Sequence, residues 1–244
     1  MTISNADLKK FSSLKRKTKR KELGWFIVEG VKSCKELVKS NFDIIQLLAT
    51  HEIINEFPKA TLINQKEASR ISNLKNHSNV IAIVKSPSYK INRQNIDQAI
   101  FLDGVKDPGN MGTIIRTLDW FGYKDLFCSE DCVDIYNSKT VMATMGSIFR
   151  LKIHTTSLAQ LKQEFPNSTT FGLALNGENI YNVTINKPSI IVMGNESNGI
   201  SNVNLSMIDH KLKIPGNGQA ESLNVSTSTA ILLSEIQRKK ITTN

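Results

Sequence analysis

Short apolar runs separated by helical segments fill the second part of the chain, and this alternation is what most restricts the fold. The runs are "AIFLDG" (Ala99–Gly104), "DLFCSE" (Asp125–Glu130), "FRLKIHT" (Phe149–Thr155), "TFGLAL" (Thr170–Leu175), "SIIVMG" (Ser189–Gly194) and "HKLKIP" (His210–Pro215). The spacing predicts helices over Met111–Phe121, Lys139–Gly146 and Leu158–Glu164, and a last one from about Leu223 to Lys239. Strands that are apolar on both faces need cover on both. The expected fold is therefore α/β, with a parallel sheet covered by helices. Ligands on such sheets collect at the carboxyl ends of the strands. Three of these ends carry unusual loops: "DGVKDPGNMG", "MGNESNG" and "IPGNGQAESLN".

The first part of the chain reads as a smaller α/β unit. "WFIVEG" (Trp25–Gly30), "DIIQLLAT" (Asp43–Thr50) and "VIAIV" (Val80–Val84) have strand character, while Val31–Ser40 and Ile63–Leu74 have helical spacing. A polar segment with Pro87, Val84–Gln98, separates the two parts, which places the expected domains at 1–94 and 95–244. The net charge of +9 follows this boundary. Residues 1–94 hold 18 Lys and Arg against 8 Asp and Glu, whereas residues 95–244 hold 13 against 14. Eight of the basic residues fall between Lys9 and Lys21, with no acid among them. Such a run attracts polyanions, so Lys15, Arg16, Lys17, Lys19, Arg20 and Lys21 are candidate RNA-binding residues. A solvated charged face is the plainer alternative.

Cys34, Cys128 and Cys132 are too few and too scattered for a disulfide framework, which suggests a reducing compartment. No second Cys/His pair stands near Cys128 and Cys132, so no metal is expected. The N-terminus lacks the apolar stretch of a signal peptide, and no apolar run approaches the roughly 18 residues of a spanning helix. A cytoplasmic chain is expected.

The loop after Ala99–Gly104 fails the usual nucleotide fingerprints. "GNMGTI" is not G-x-G-x-x-G, and no Gly-Lys-Ser/Thr follows. It does contain Asn110, Gly112 and Arg116 as N-x-G-x-x-x-R. With a helix starting near Met111, Asn110 is either its cap or a site residue. Arg116 falls in the second turn, where its side chain can fold back towards an anion at the helix start. In "MGNESNGIS", Gly194 and Gly199 permit tight turns, and Glu196 is either a helix-flanking acid or a functional carboxylate. The last loop precedes a cluster of Glu221, Ser222, Asn224, Ser226, Thr227, Ser228 and Thr229. These residues either satisfy helix backbone groups or face a ligand.

Together, in this order, "NMGTIIR", "VMGNESNGIS" and "IPGNGQAESLNVSTSTAILLSEIQR" resemble the three signature motifs of the SpoU (TrmH-type) RNA ribose 2′-O-methyltransferases of the SPOUT class. "KRKELGWFIVEGVKSCKEL" is similar to the start of that family's substrate-binding domain. The resemblance implies a C-terminal trefoil knot, a homodimer formed through the final helix and the Asn110–Phe121 helix, and S-adenosyl-L-methionine as cofactor. It implies Arg116, Asn110, Glu196, Ser222 and Asn224 as catalytic residues, with Arg116 also contacting RNA. The implied cofactor residues are Leu173, Ala174, Leu175, Met193, Gly194, Asn195, Gly199, Ile214, Pro215, Ser222 and Leu223. The family often has Met where this chain has Gly216, and Tyr where it has Ser234. "HSNVIAIV" also lacks the Gln-Gly common at that position. The expected activity is 2′-O-methylation of RNA, with large-subunit rRNA favoured by the separate basic domain. A tRNA substrate and a non-catalytic RNA-binding assembly factor are the alternatives. A nicotinamide enzyme is disfavoured by the missing fingerprint.

Overall fold

The computed structural model describes residues 3–74 and 77–242. The chain forms two compact units, Met1–Ser88 with Asp134–Arg150, and Tyr89–Val133 with Leu151–Asn244. In the first unit, α1 (Asn5–Ser13) and α2 (Lys17–Leu23) precede β1 (Trp25–Glu29) and α3 (Val31–Val38). There follow β2 (Ile44–Ala49), β3 (Thr61–Leu62), α4 (Gln65–Ile71) and β4 (Val80–Lys85). The sheet order is β1-β4-β2-β3, with β4 antiparallel to both neighbours.

The basic run is thus built into two helices. Leu8, Phe11 and Leu14 recur at helical spacing and join Ile27, Leu48, Ile81 and Ile83 in the core, which turns Lys9, Lys10 and Lys15 outward. Gly24 ends α2 at φ 65°, a conformation that costs glycine little. Lys15, Arg16, Lys17 and Lys21 are exposed and Lys19 is half-buried in an ion pair with Glu22. Arg20 departs from the expectation. It is only 8% exposed, and its guanidinium donates to Leu14 O at 2.7 Å, Lys15 O at 3.0 Å and Asp134 Oδ2 at 2.5 Å. Every third or fourth helical residue faces inward, and here the inward position is a cation that needs a carboxylate. Arg20 therefore ties the fold together and does not present itself to RNA.

Asp134 belongs to a segment whose aromatic residues also pack in this unit. Tyr136 stacks on Phe26 at 4.4 Å between centroids, and Phe149 meets Phe42 edge-on at 5.3 Å. The helix of this segment spans Ser138–Ala143 and ends short of the expected Gly146, because Met145 at φ 51° and Gly146 at φ 97° leave the right-handed region. Phe149 likewise belongs to a 3-10 turn, Ser147–Phe149, and not to a strand.

In the second unit, β5 (Gln98–Leu102), α5 (Pro108–Trp120) and β6 (Asp125–Cys128) are followed, after α6 (Ser138–Ala143) of the first unit, by β7 (Lys152–Thr155), α7 (Leu158–Glu164), β8 (Thr169–Asn179) and β9 (Ser189–Met193). α8 (Asn202–Leu205), β10 (His210–Lys213) and α9 (Val225–Thr242) complete it. All neighbours in the order β10-β8-β9-β5-β6-β7 run parallel. Phe101, Phe127, Ile190 and Val192 of the central strands pack with Leu158 and Leu161 of α7, while α5 packs against α9. The strand from Thr169 runs four residues beyond its expected end at Leu175. Its register with β10 jumps from Gly172↔Lys211 to Glu178↔Leu212, so Leu173–Gly177 form an excursion at the carboxyl end of the strand. Among the described residues, no helix is long and apolar enough to cross a membrane.

Arg20→Ala should destabilise the protein by about 3–5 kcal/mol, since it leaves Asp134 half of a broken buried pair. Urea unfolding checks this, and an unchanged midpoint would show the pair to be idle.

Candidate active site

The loop ends of β5 and β9 and the start of α9 meet through side-chain hydrogen bonds. α5 begins at Pro108, three residues before the expected Met111. Asp107 caps it, accepting from Asn110 N at 2.8 Å, and Pro108 occupies a position where its missing N–H leaves nothing unpaired. Asn110 is therefore no cap but a first-turn residue whose side chain is not spent on the helix, and Arg116 falls in the third turn. The Asp-Pro-Gly sequence carried this signal; the apolar spacing that begins at Met111 did not.

The second loop is closed on itself. Asn195 and Gly199 exchange backbone hydrogen bonds of 2.8 and 3.0 Å, with Gly199 at φ +67°. Asn195 Oδ1 accepts from Ser197 N and Asn198 N, while Nδ2 donates to Gly104 O at 2.6 Å. At Gly194 a Cβ would lie 2.2 Å from the carbonyl carbon of Gly199, so only glycine fits this crossing. Met193 beside it is buried.

Asn110 joins the three loops. Its Nδ2 donates to Glu196 Oε1 at 3.0 Å, and its Oδ1 accepts from Asn224 Nδ2 at 2.8 Å. Asn224 Oδ1 in turn accepts from Ser226 N at 2.8 Å and Ser226 Oγ at 2.6 Å, which caps α9. The hydroxyls that follow serve the helix itself: Ser228 Oγ donates to Asn224 O and Thr229 Oγ1 to Val225 O. Of the two readings open for this cluster, local satisfaction holds for Ser226, Ser228 and Thr229. Glu196 also accepts from Lys106 N and Asp107 N, each at 3.3 Å. Partial burial pushes its carboxyl up, but the hydrogen bonds from Asn110 and the backbone outweigh this and hold it below the usual carboxylate range.

Ser222 and Arg116 stay outside this chain of bonds. Both are exposed, and the Arg116 guanidinium has no partner among the described residues. Leu173, Ala174, Gly194, Asn195 and Ile214 are half-buried at the strand ends, whereas Gly199 and Pro215 are exposed. Leu175 and Leu223 are 71% and 48% exposed, large apolar side chains left without cover. Gly216 and Gly218 face open space. Among the described residues, no group of three or more His, Cys, Asp or Glu is placed to hold a metal ion.

The family model of the SpoU rRNA methylases matches residues 97–234. The chain belongs to that family. Residues 5–100 match the MRM3-like substrate-binding domain. Among curated relatives, the 23S rRNA (guanosine(2553)-2′-O)-methyltransferase RlmP of Bacillus subtilis is 26% identical, over 95% of this chain and 96% of its own. A structure from Porphyromonas gingivalis, described as a candidate RNA methyltransferase of the TrmH family, superposes with a TM-score of 0.86 at 29% identity, covering 98% of this chain and 100% of its own. An AdoMet-bound rRNA methyltransferase from Sinorhizobium meliloti gives 0.85 at 26% identity, covering 98% and 97%. The parallel-sheet α/β fold expected from the alternation of apolar runs and helical segments is the one found.

Gly194→Ala should disorder the second loop, and loss of its protection in hydrogen exchange across Asn195–Gly199 checks this. Glu196→Gln should cost stability only where the carboxylate is ionised. Because the folded pKa is depressed, the wild-type advantage is complete above the ordinary Glu value of about 4.3 and fades as pH falls through the lower folded value. The difference in unfolding free energy between the two proteins should be constant near neutral pH and shrink as pH falls below about 4.3; a gap that stays constant into acid would contradict this.

Proposed function

We propose that this protein is an S-adenosyl-L-methionine-dependent methyltransferase acting on a ribose 2′-hydroxyl of rRNA. Residues 1–94 serve as the basic RNA-binding domain and residues 95–244 as the catalytic one. The observation that carries this reading is the bonded chain Glu196–Asn110–Asn224, which joins the three signature loops on the helix that bears Arg116.

The cofactor's place is the carboxyl end of β8, β9 and β10, against Leu173–Leu175, Met193–Asn195, Gly199, Ile214, Pro215, Ser222 and Leu223. Bound there, it supplies a methyl group already activated by a positive sulfur. What the chain must do is align a neutral alcohol and stabilise the charge that grows on its oxygen. Arg116 fits that task. A guanidinium keeps its charge and has no lone pair to offer, so it clamps the neighbouring phosphate and steadies the alkoxide without acting as a free base. The proton leaves through a phosphate oxygen or water. Glu196 is ionised and has both oxygens occupied by donors, so it orients Asn110 and takes no proton from substrate. Ser222 and Asn224 line the same loops. Phosphates of the RNA meet the outward cations Lys15, Arg16, Lys17 and Lys21, with the half-buried Lys19 beside them.

The active protein is a homodimer through α5 and α9, where Trp120 and Ile241 are 85% and 68% exposed on helices that pack together. A trefoil knot through the loops after β9 and β10 is part of the same reading, supported by the family match over residues 97–234. A cytoplasmic location is supported by three free, buried cysteines.

Tritiated S-adenosylmethionine, incubated with the protein and unmodified total RNA, should label a 2′-O-methylnucleoside in rRNA. Label in the tRNA fraction would move the substrate, and absence of cofactor binding would leave an RNA-binding assembly factor. Arg116→Ala should abolish transfer while cofactor binding survives; retained turnover would remove its assigned role.

A further inference from the structure

Asp103 stands outside every role given above. It follows the buried β5, is only 6% exposed, and has no ion-pair partner among the described residues. Its Oδ2 accepts from the backbone N–H of Ser201 at 2.7 Å, and its own N–H donates to Met193 O at 2.8 Å. The next residue, Gly104, accepts at its carbonyl from Asn195 Nδ2 at 2.6 Å and donates its N–H to Ser129 Oγ at 2.9 Å. The dipeptide Asp103–Gly104 therefore grips the second loop at both ends, at Met193 and Asn195 where it begins and at Ser201 where it finishes.

Between those ends the loop is a closed ring, through the paired bonds of Asn195 and Gly199. A ring held at two points has a fixed orientation, and one released at Ser201 pivots about Asn195. Glu196 rides on this ring. Its bonds to Asn110 Nδ2, Lys106 N and Asp107 N are 3.0–3.3 Å long, so a small rotation takes them out of range. A carboxylate suits the holding point, since hydrogen bonds to an ionised acceptor are about twice as strong as neutral ones.

We propose that Asp103 is a positioning residue for methyl transfer. Its buried carboxylate holds the far end of the loop, and thereby sets Glu196 against Asn110 and the Gly194–Gly199 backbone against the cofactor. No proton passes through it; it acts through Glu196. This role rests on the function proposed above.

The test measures S-adenosylmethionine affinity by calorimetry and single-turnover methyl transfer to unmodified rRNA. The proteins are wild type, D103A, D103N, E196Q, D103N/E196Q and the D103A/E196Q double variant. D103A should weaken binding and slow transfer by about tenfold each, the effect of losing one charged hydrogen bond. D103N keeps an acceptor oxygen in place and should restore most of both. The double variant should be no slower than E196Q alone, because both changes remove one alignment. A D103A protein that matches wild type overturns the role, as do losses that multiply in the double variant. Where D103A does not fold, D103N decides through its coupling to Glu196: a loss of transfer that disappears in the E196Q background supports the role, and an equal loss in both backgrounds, or none in either, overturns it. A wild type that binds no S-adenosylmethionine overturns the proposed function and this role together, whereas a binding wild type with an indifferent D103A overturns this role alone.

Discussion

One amide, that of Asn110, holds the candidate site together. A primary amide has a donating end and an accepting end, and Glu196 can only accept. Nδ2 must therefore face the carboxylate at 3.0 Å, which turns Oδ1 towards Asn224. That choice propagates. Asn224 spends its own donor on Asn110, so its oxygen is left for Ser226 at the start of α9. Loops distant in sequence are set in one direction by the polarity of a single side chain, and the ionised state of Glu196 is what gives the chain its sense.

The rest of the unit can be understood as making room for this joint. A parallel sheet brings the ends of β5 and β9 side by side, with Leu102 opposite Met193. The loops that leave them are bonded to each other through Asn195 Nδ2 on Gly104 O and Ser201 N on Asp103 Oδ2. Gly194 lets the second loop close on itself by having no Cβ, since one would lie 2.2 Å from Gly199. α9 can begin with hydroxyl residues of poor helical propensity because those hydroxyls bond back to carbonyls of the preceding turn and α5 packs against the helix they open.

The sequence was most legible where one periodicity dominated. The central strands, buried along their length, and α7 at Leu158–Glu164 follow directly from apolar spacing. Boundaries drifted where capping or backbone chirality took over from hydrophobicity. α5 starts early because Asp107 and Pro108 form its cap, and α6 stops early at the left-handed Met145 and Gly146. The basic run at Lys9–Lys21 looked uniform as a string of charges. Folded, it divides into outward cations and the inward Arg20, because the helical repeat assigns each position a side and Leu8, Phe11 and Leu14 choose which side is in.

By itself, then, the sequence determined the α/β class, the three glycine-bearing loops and, by resemblance, the family to which they belong. These are local properties: each is written in neighbouring residues or in a repeat of fixed period. Only the tertiary structure decided that Asn110 bridges Glu196 and Asn224, that Asp103 holds Ser201, and that Arg20 pairs with Asp134. Each of those bonds joins residues scores of positions apart, and no local preference encodes a partner. They exist because burying the strands of a parallel sheet forces their carboxyl-end loops into one place, and because polar groups packed there must find one another.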